Sequence, residues 1–195
     1  MLTWIALFLF LPVFFGIWFG MRRSKSIASL HDKVRRDVAA RLEALAPGIG
    51  GKLIDGPALL TDKGTLTQLV SGSANRVSVD ATKFSVDLPG PHIVNVIPQA
   101  DADAAIVVKG VRRVPMDLPY AVFSSDEAHA RSAVTPALIE AIQALDRAAK
   151  VRARLMVSRS GITVVAKKGI HLPQDLRAFY DGSVAVVEVL RGGTA

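Results

Sequence analysis

The chain has 195 residues, half of them apolar, and carries a net charge of +7. Apart from an apolar N-terminal stretch, that length is one ordinary globular domain. The absence of cysteine excludes disulfides, thiolate nucleophiles and Cys-based zinc or iron–sulfur sites, and fits a reducing compartment.

The charge is polarised. Residues 22–41 hold seven basic side chains against Asp32 and Asp37, and residues 147–168 hold seven more with no acid, leaving −5 for the remainder. Two basic zones on a mildly acidic body direct attention to anionic partners or surfaces.

Leu2 to Met21 is twenty residues without a charge, enough at 1.5 Å rise per residue to cover about 30 Å of hydrocarbon. It is expected to be a transmembrane helix, 1–21, with Trp4 and Trp18 at the two lipid–water interfaces. A cleavable signal peptide is the competing reading, but no Lys or Arg precedes the run and its exit lacks a small-x-small site. Arg22, Arg23 and Lys25 follow the segment, so the positive-inside rule puts the N-terminus outside and the rest in the cytoplasm, as a single-pass inner-membrane protein. Gly16 and Gly20 have the G-x-x-x-G spacing that lets membrane helices pack closely.

From Ile27 to Ala46 the apolar residues Ile27, Leu30, Val34, Val38, Leu42 and Leu45 recur every three or four positions, the stripe of an amphipathic helix ended by Pro47-Gly48. Residues 22–47 are therefore expected to form a basic juxtamembrane helix. Its Lys33, Arg35 and Arg36, with Arg22, Arg23 and Lys25, would lie near anionic headgroups at about 1 kcal/mol each.

Residues 48–195 are expected to form a cytoplasmic α+β domain with a mixed or antiparallel sheet and two or three packed helices. Alternation predicts strands at Val77–Val79 and Phe84–Leu88, with a hairpin turn at Asp80-Ala81-Thr82, and apolar runs predict strands at 92–97 and 104–111. "YAVFSSDEAHARSAV" predicts a strand entering a helix with Ser124 as N-cap and Glu127 three residues on. Thr135-Pro136 restarts the helix. A hairpin turning at Ser160-Gly161 and a last helix over "QDLRAFYDGSVAVVEVLR" complete the chain.

The segment "YAVFSSDEAHARSAVTPALIEAI", the "VSRSGITVV" hairpin and the terminal helix together resemble an uncharacterised bacterial membrane-anchored domain family of unknown function. The resemblance covers about residues 118–190. It implies fold, bacterial origin and membrane association, and it brings no catalytic residues.

The histidines His31, His92, His129 and His171 share no metal-ligand spacing, and His129 reads as a surface helix position. Asp101-Ala102-Asp103 has a D-x-D spacing but no nucleotide-binding unit before it, so it reads as a polar loop. Ser71-Gly72-Ser73-Ala74 lacks the final glycine of a nucleophile elbow and reads as a turn. "GIGGK" at 48–52 is not a phosphate loop and reads as a helix stop and linker. Arg152, Arg154, Lys167 and Lys168 would meet on one face of the hairpin as an anion-binding surface. With no aromatic residue between Phe123 and Phe179 for stacking, nucleic acid is disfavoured.

The reading that follows is a single-pass membrane-anchored accessory or interaction subunit of a bacterial membrane complex, not an enzyme, with no cofactor and no metal. Its expected partners are the bilayer, another protein or a second copy, and anionic lipid headgroups. The alternative is a membrane-tethered regulatory domain that binds an anionic lipid or nucleotide through the basic hairpin.

Overall fold

The computed structural model describes residues 28–54, 57–73, 76–103 and 109–192. Helix α1 runs over residues 28–49. Strands β1 (Lys52–Ile54), β2 (Ala58–Leu60), β3 (Thr65–Ser73), β4 (Arg76–Val86), β5 (Val94–Pro98), β6 (Arg112–Val114) and β7 (Tyr120–Ser124) follow. Helices α2 (Glu127–Ala133) and α3 (Pro136–Ala149), the hairpin β8 (Ala153–Ser158) and β9 (Gly161–Ala166), and helix α4 (Pro173–Gly192) complete the domain.

The strands form one sheet in the order β1-β2-β3-β4-β9-β8-β5-β7-β6, and every neighbouring pair is antiparallel. Because strand side chains alternate faces, the register fixes the core. Leu59, Leu66, Phe84, Val164, Leu155, Val96, Val122 and Val114 stand opposite one another in turn across eight strands. All eight are buried. They meet Val38, Leu42 and Leu45 of α1, Ala130 of α2, Leu138, Ile142 and Leu145 of α3, and Leu176, Phe179 and Val186 of α4 in a single cluster. The four helices thus cover one face.

On the other face, Ile97, Ala121 and Phe123 form a smaller cluster with Ala102 and Val111 from the segment after β5. The rest of that face carries Lys83, Ser85, Thr163, Val165, Arg154 and Met156.

Helix starts follow local chemistry. Thr135 caps α3 by accepting from the Leu138 amide, with Pro136 in the first turn, where a missing N–H costs nothing. The cap of α2 is Asp126, which accepts from the His129 amide at 2.8 Å. Ser124, the expected cap, instead donates to Ile93 O at 2.8 Å. Asp146 on α3 ties the layers together, accepting from the Ala153 amide at 2.6 Å and from the Tyr120 hydroxyl at 2.9 Å.

Several expectations are corrected. Among the described residues the fold is an α+β domain with no helix long and apolar enough to cross a membrane, so the transmembrane helix of the expected fold is not part of the described architecture. Even α4, twenty residues long, is amphipathic, carrying Asp175, Arg177, Asp181, Glu188 and Arg191. The segment 2–21, with Trp4, Gly16, Trp18 and Gly20, lies outside the described residues, as do Arg22, Arg23 and Lys25. Of the two sheet types left open, mixed or antiparallel, the described strands show the antiparallel one.

Asp80-Ala81-Thr82 is not a turn, because β4 runs unbroken from Arg76 to Val86. Val70 pairs with Val79 and Leu69 with Ala81, so the pairing slips by one residue and produces the lapse in alternation. Of the expected 104–111 strand, 104–108 lie outside the described residues, and Lys109-Gly110 form a turn. The helix α1 passes Pro47-Gly48 to residue 49, where Gly50 at φ 64° lets the Gly51 amide bond back to Ala46 O.

Candidate functional site

The basic hairpin is a composite surface. Arg152 lies immediately before β8 and Lys167 immediately after β9, both exposed, while Arg154 points from β8 to the uncovered face. The Asp101 carboxylate, delivered by the short helical turn Gln99–Asp101 after β5, meets the Arg154 guanidinium at 2.8 Å. The hydrogen bond from Arg154 holds the Asp101 carboxyl below the usual carboxylate range, and the charges of Lys167 and Arg152 act in the same direction.

Three of the four expected cations therefore surround one acid, and Lys168 follows as an exposed neighbour. The Arg154 side chain is only 12% exposed, and its Nε has no acceptor among the described residues. Asn95, on the adjacent strand of the same face, likewise has a buried Oδ1 without a donor among them.

Asp101 in the D-x-D triplet is thus an ion-pair partner, not a cation ligand. Among the described residues no three His, Asp or Glu groups are placed to hold a metal. Ser71 and Gly72, read as a turn, lie within β3. The exposed Lys33, Arg35 and Arg36 lie on α1; Arg36 Nε donates to Asp32 O at 3.4 Å.

A second constellation joins residues that sequence reading kept apart. The rings of His92 and His129 lie with centroids 4.9 Å apart, tilted at 46° to each other, and His92 Nε2 is 3.8 Å from Asp126 Oδ2. His92 comes from the loop before β5, Asp126 and His129 from the start of α2. Pairing of β5 with β7 brings them together. His129 is half-buried and lines an apolar cavity of about 220 Å³ between the sheet and the helices. No spacing in the sequence marks this group; the Pro89-Gly90-Pro91 turn that forms one wall is its only local signal.

His171 stands elsewhere, its Nδ1 2.9 Å from Arg41 Nη1. Since arginine only donates, that nitrogen accepts, and the contact ties the start of α4 to α1.

No family model matches the chain, and no curated protein matches it. A search of solved structures finds the crystal structure of the mycobacterial trehalose monomycolate transport factor A, at 11% identity and a TM-score of 0.49, covering 82% of this chain and 95% of that one. At that distance the likeness assigns neither fold nor function to this chain.

Proposed function

We propose that this chain is a non-catalytic accessory subunit whose domain docks an acidic surface of a protein partner on the uncovered face of its sheet. The observation that carries the reading is the face itself, where exposed Arg152 and Lys167 and half-buried Lys83 surround the Arg154–Asp101 pair and are interleaved with Thr163, Val165 and Met156. Met156 is 44% exposed. A flat array of cations among small and apolar side chains matches the mixed chemistry of a protein interface, where charge gives orientation and apolar contact gives area.

A phosphate-bearing lipid or nucleotide is the second reading, favoured by the same cations. It is the weaker one, because Asp101 already stands where the converging donors would hold a phosphate. Bacterial origin and a place at the membrane belong to the proposal as well. The place at the membrane is supported by the exposed Lys33, Arg35 and Arg36 of α1, which attract anionic headgroups; bacterial origin rests on the resemblance over residues 118–190 alone.

The test is purification of the tagged full-length chain from its native cells, with the mass and composition of the eluted complex read by native mass spectrometry. Wild type is expected to retain a stoichiometric partner. The Arg152→Glu/Lys167→Glu double variant should lose it while remaining folded by circular dichroism, with a somewhat lower melting temperature because both cations also support Asp101. Absence of a partner, or one indifferent to the charge reversal, defeats the reading; salt-sensitive binding to phosphatidylglycerol vesicles without a protein partner would install the second.

A further inference from the structure

The cavity beside His129 is apolar and partly open to solvent, so covering its walls with an apolar guest would be favourable. Protein interiors are packed to nearly crystalline density and leave few voids larger than a water molecule. This one measures about 220 Å³ and is walled by Pro89, Val134, Leu138, Leu155, Ile162 and Leu190. Such a wall offers water few hydrogen bonds, and an apolar cavity of about 150 Å³ is already large enough to take up a benzene-sized guest. The lining comes from β5, β8 and β9 on one side and from α2, α3 and α4 on the other, so a guest would lie between two layers. At roughly 30 Å³ for each water-sized group, the volume admits about seven methylenes.

The polar rim narrows the guest further. His129 is the imidazole in the lining, and His92 lies beside it, near Asp126. One carboxylate oxygen of Asp126 is occupied by the His129 amide, which holds this carboxyl below its ordinary range and hence ionised at neutral pH. Asp126 is outside the lining, but its charge acts on the His129 ring, so a guest carboxylate held at His129 would be disfavoured. An uncharged hydroxyl or ester would meet only the imidazole, which can donate or accept.

We infer that the cavity is a binding site for a linear alkyl chain of about eight carbons, or the end of a longer one, whose head is uncharged and hydrogen-bonds at His129. The inference uses a different face of the domain from the proposed partner surface and stands or falls separately.

The test is photolabelling of the full-length chain with an eight-carbon alcohol that carries a diazirine near its methyl end. Label is expected on peptides containing Val134, Leu155 or Leu190, and 1-octanol should compete better than octanoate. Ala133→Phe places a ring in the cavity from the end of α2. It should reduce labelling about tenfold, the loss expected when roughly two methylenes can no longer be buried, without lowering the melting temperature.

Should that variant fail to fold, Val157→Phe closes the cavity from the sheet side and serves in its place. Label scattered over the surface, or undiminished in the filled variant, overturns the site. Equal competition by octanoate overturns the uncharged head.

Discussion

At the scale of the residue, Asp101 is the side chain whose role differs most from its sequence context. In a D-x-D triplet it suggests a cation, yet its neighbours in space are Arg154, Arg152 and Lys167. Nothing local could show this, because the acid follows β5 while the cations lie on β8 and after β9, more than fifty residues later. Removing a partner from a buried ion pair costs roughly 3–5 kcal/mol, but the Asp101 side chain is 30% exposed, so water screening reduces the expected cost of Asp101→Asn to about 1–2 kcal/mol at pH 7. The pH dependence has a definite sign. Because the folded carboxyl titrates below its unfolded value of about 3.9, the stabilisation is fully present above pH ~4 and is lost as pH falls through the lower, folded value. Urea unfolding of wild type and Asp101→Asn should therefore show a stability gap at pH 7 that narrows progressively below pH ~4. A gap that stays constant to pH 2.5 would mean that Asp101 is not held by charge.

At the scale of the element, α4 shows what patterning discloses and what it hides. Leu176, Phe179, Tyr180, Val184 and Val187 recur at helical spacing, which predicts a helix through Gly182 and a run of valines with a strand as the runner-up; the structure shows the helix, over Pro173–Gly192. The reason for Gly182 became visible only with α3 in place. A Cβ there would lie 2.7 Å from Leu145 Cδ1 and 3.2 Å from Leu145 Cα, so the missing side chain lets the two helices approach closely. In an exposed helix, Gly→Ala stabilises by about 0.5–1 kcal/mol. Here overpacking of roughly 1–3 kcal/mol outweighs it, so Gly182→Ala should lower the melting temperature by about 2–4 °C. In a Leu145→Ala background the penalty should shrink without vanishing, since the 2.7 Å contact with Cδ1 is gone while Leu145 Cβ at 3.0 Å and Cα at 3.2 Å remain. Additive effects of the two substitutions would show that the close approach is not what selects glycine. The β4 strand is the counterpart, because a one-residue slip in pairing with β3 looks in sequence like a turn. Alternation alone cannot distinguish a bulge from a chain reversal.

At the scale of the whole molecule, local signals located most strands and helices but could not order them. Sheet order depends on which strand closes against β4, and β9, eighty residues away, does so. The His92–His129–Asp126 group and the basic face around Asp101 are both products of that order, and so neither was legible as a site. The order also decides which strands are left at the rim of an open nine-stranded sheet. Both rim strands, β1 and β6, are only three residues long, and β6 presents exposed Arg112 and Arg113. Short, charged rims are how open sheets avoid pairing edge to edge with a second copy, since an unpaired row of N–H and C=O groups is otherwise a template for another strand. Arg113 faces away from the helices, opposite Phe123, while Arg112 stands opposite Ser124; replacing both by valine would leave the core untouched, raise strand propensity and remove the mutual repulsion of two approaching rims. Arg112→Val/Arg113→Val is thus expected to increase concentration-dependent self-association over wild type in sedimentation velocity, with a gain in β signal on association. If the double variant sediments as wild type does over the same concentration range, charge is not what protects this rim, and the shortness of β6 alone must be sufficient.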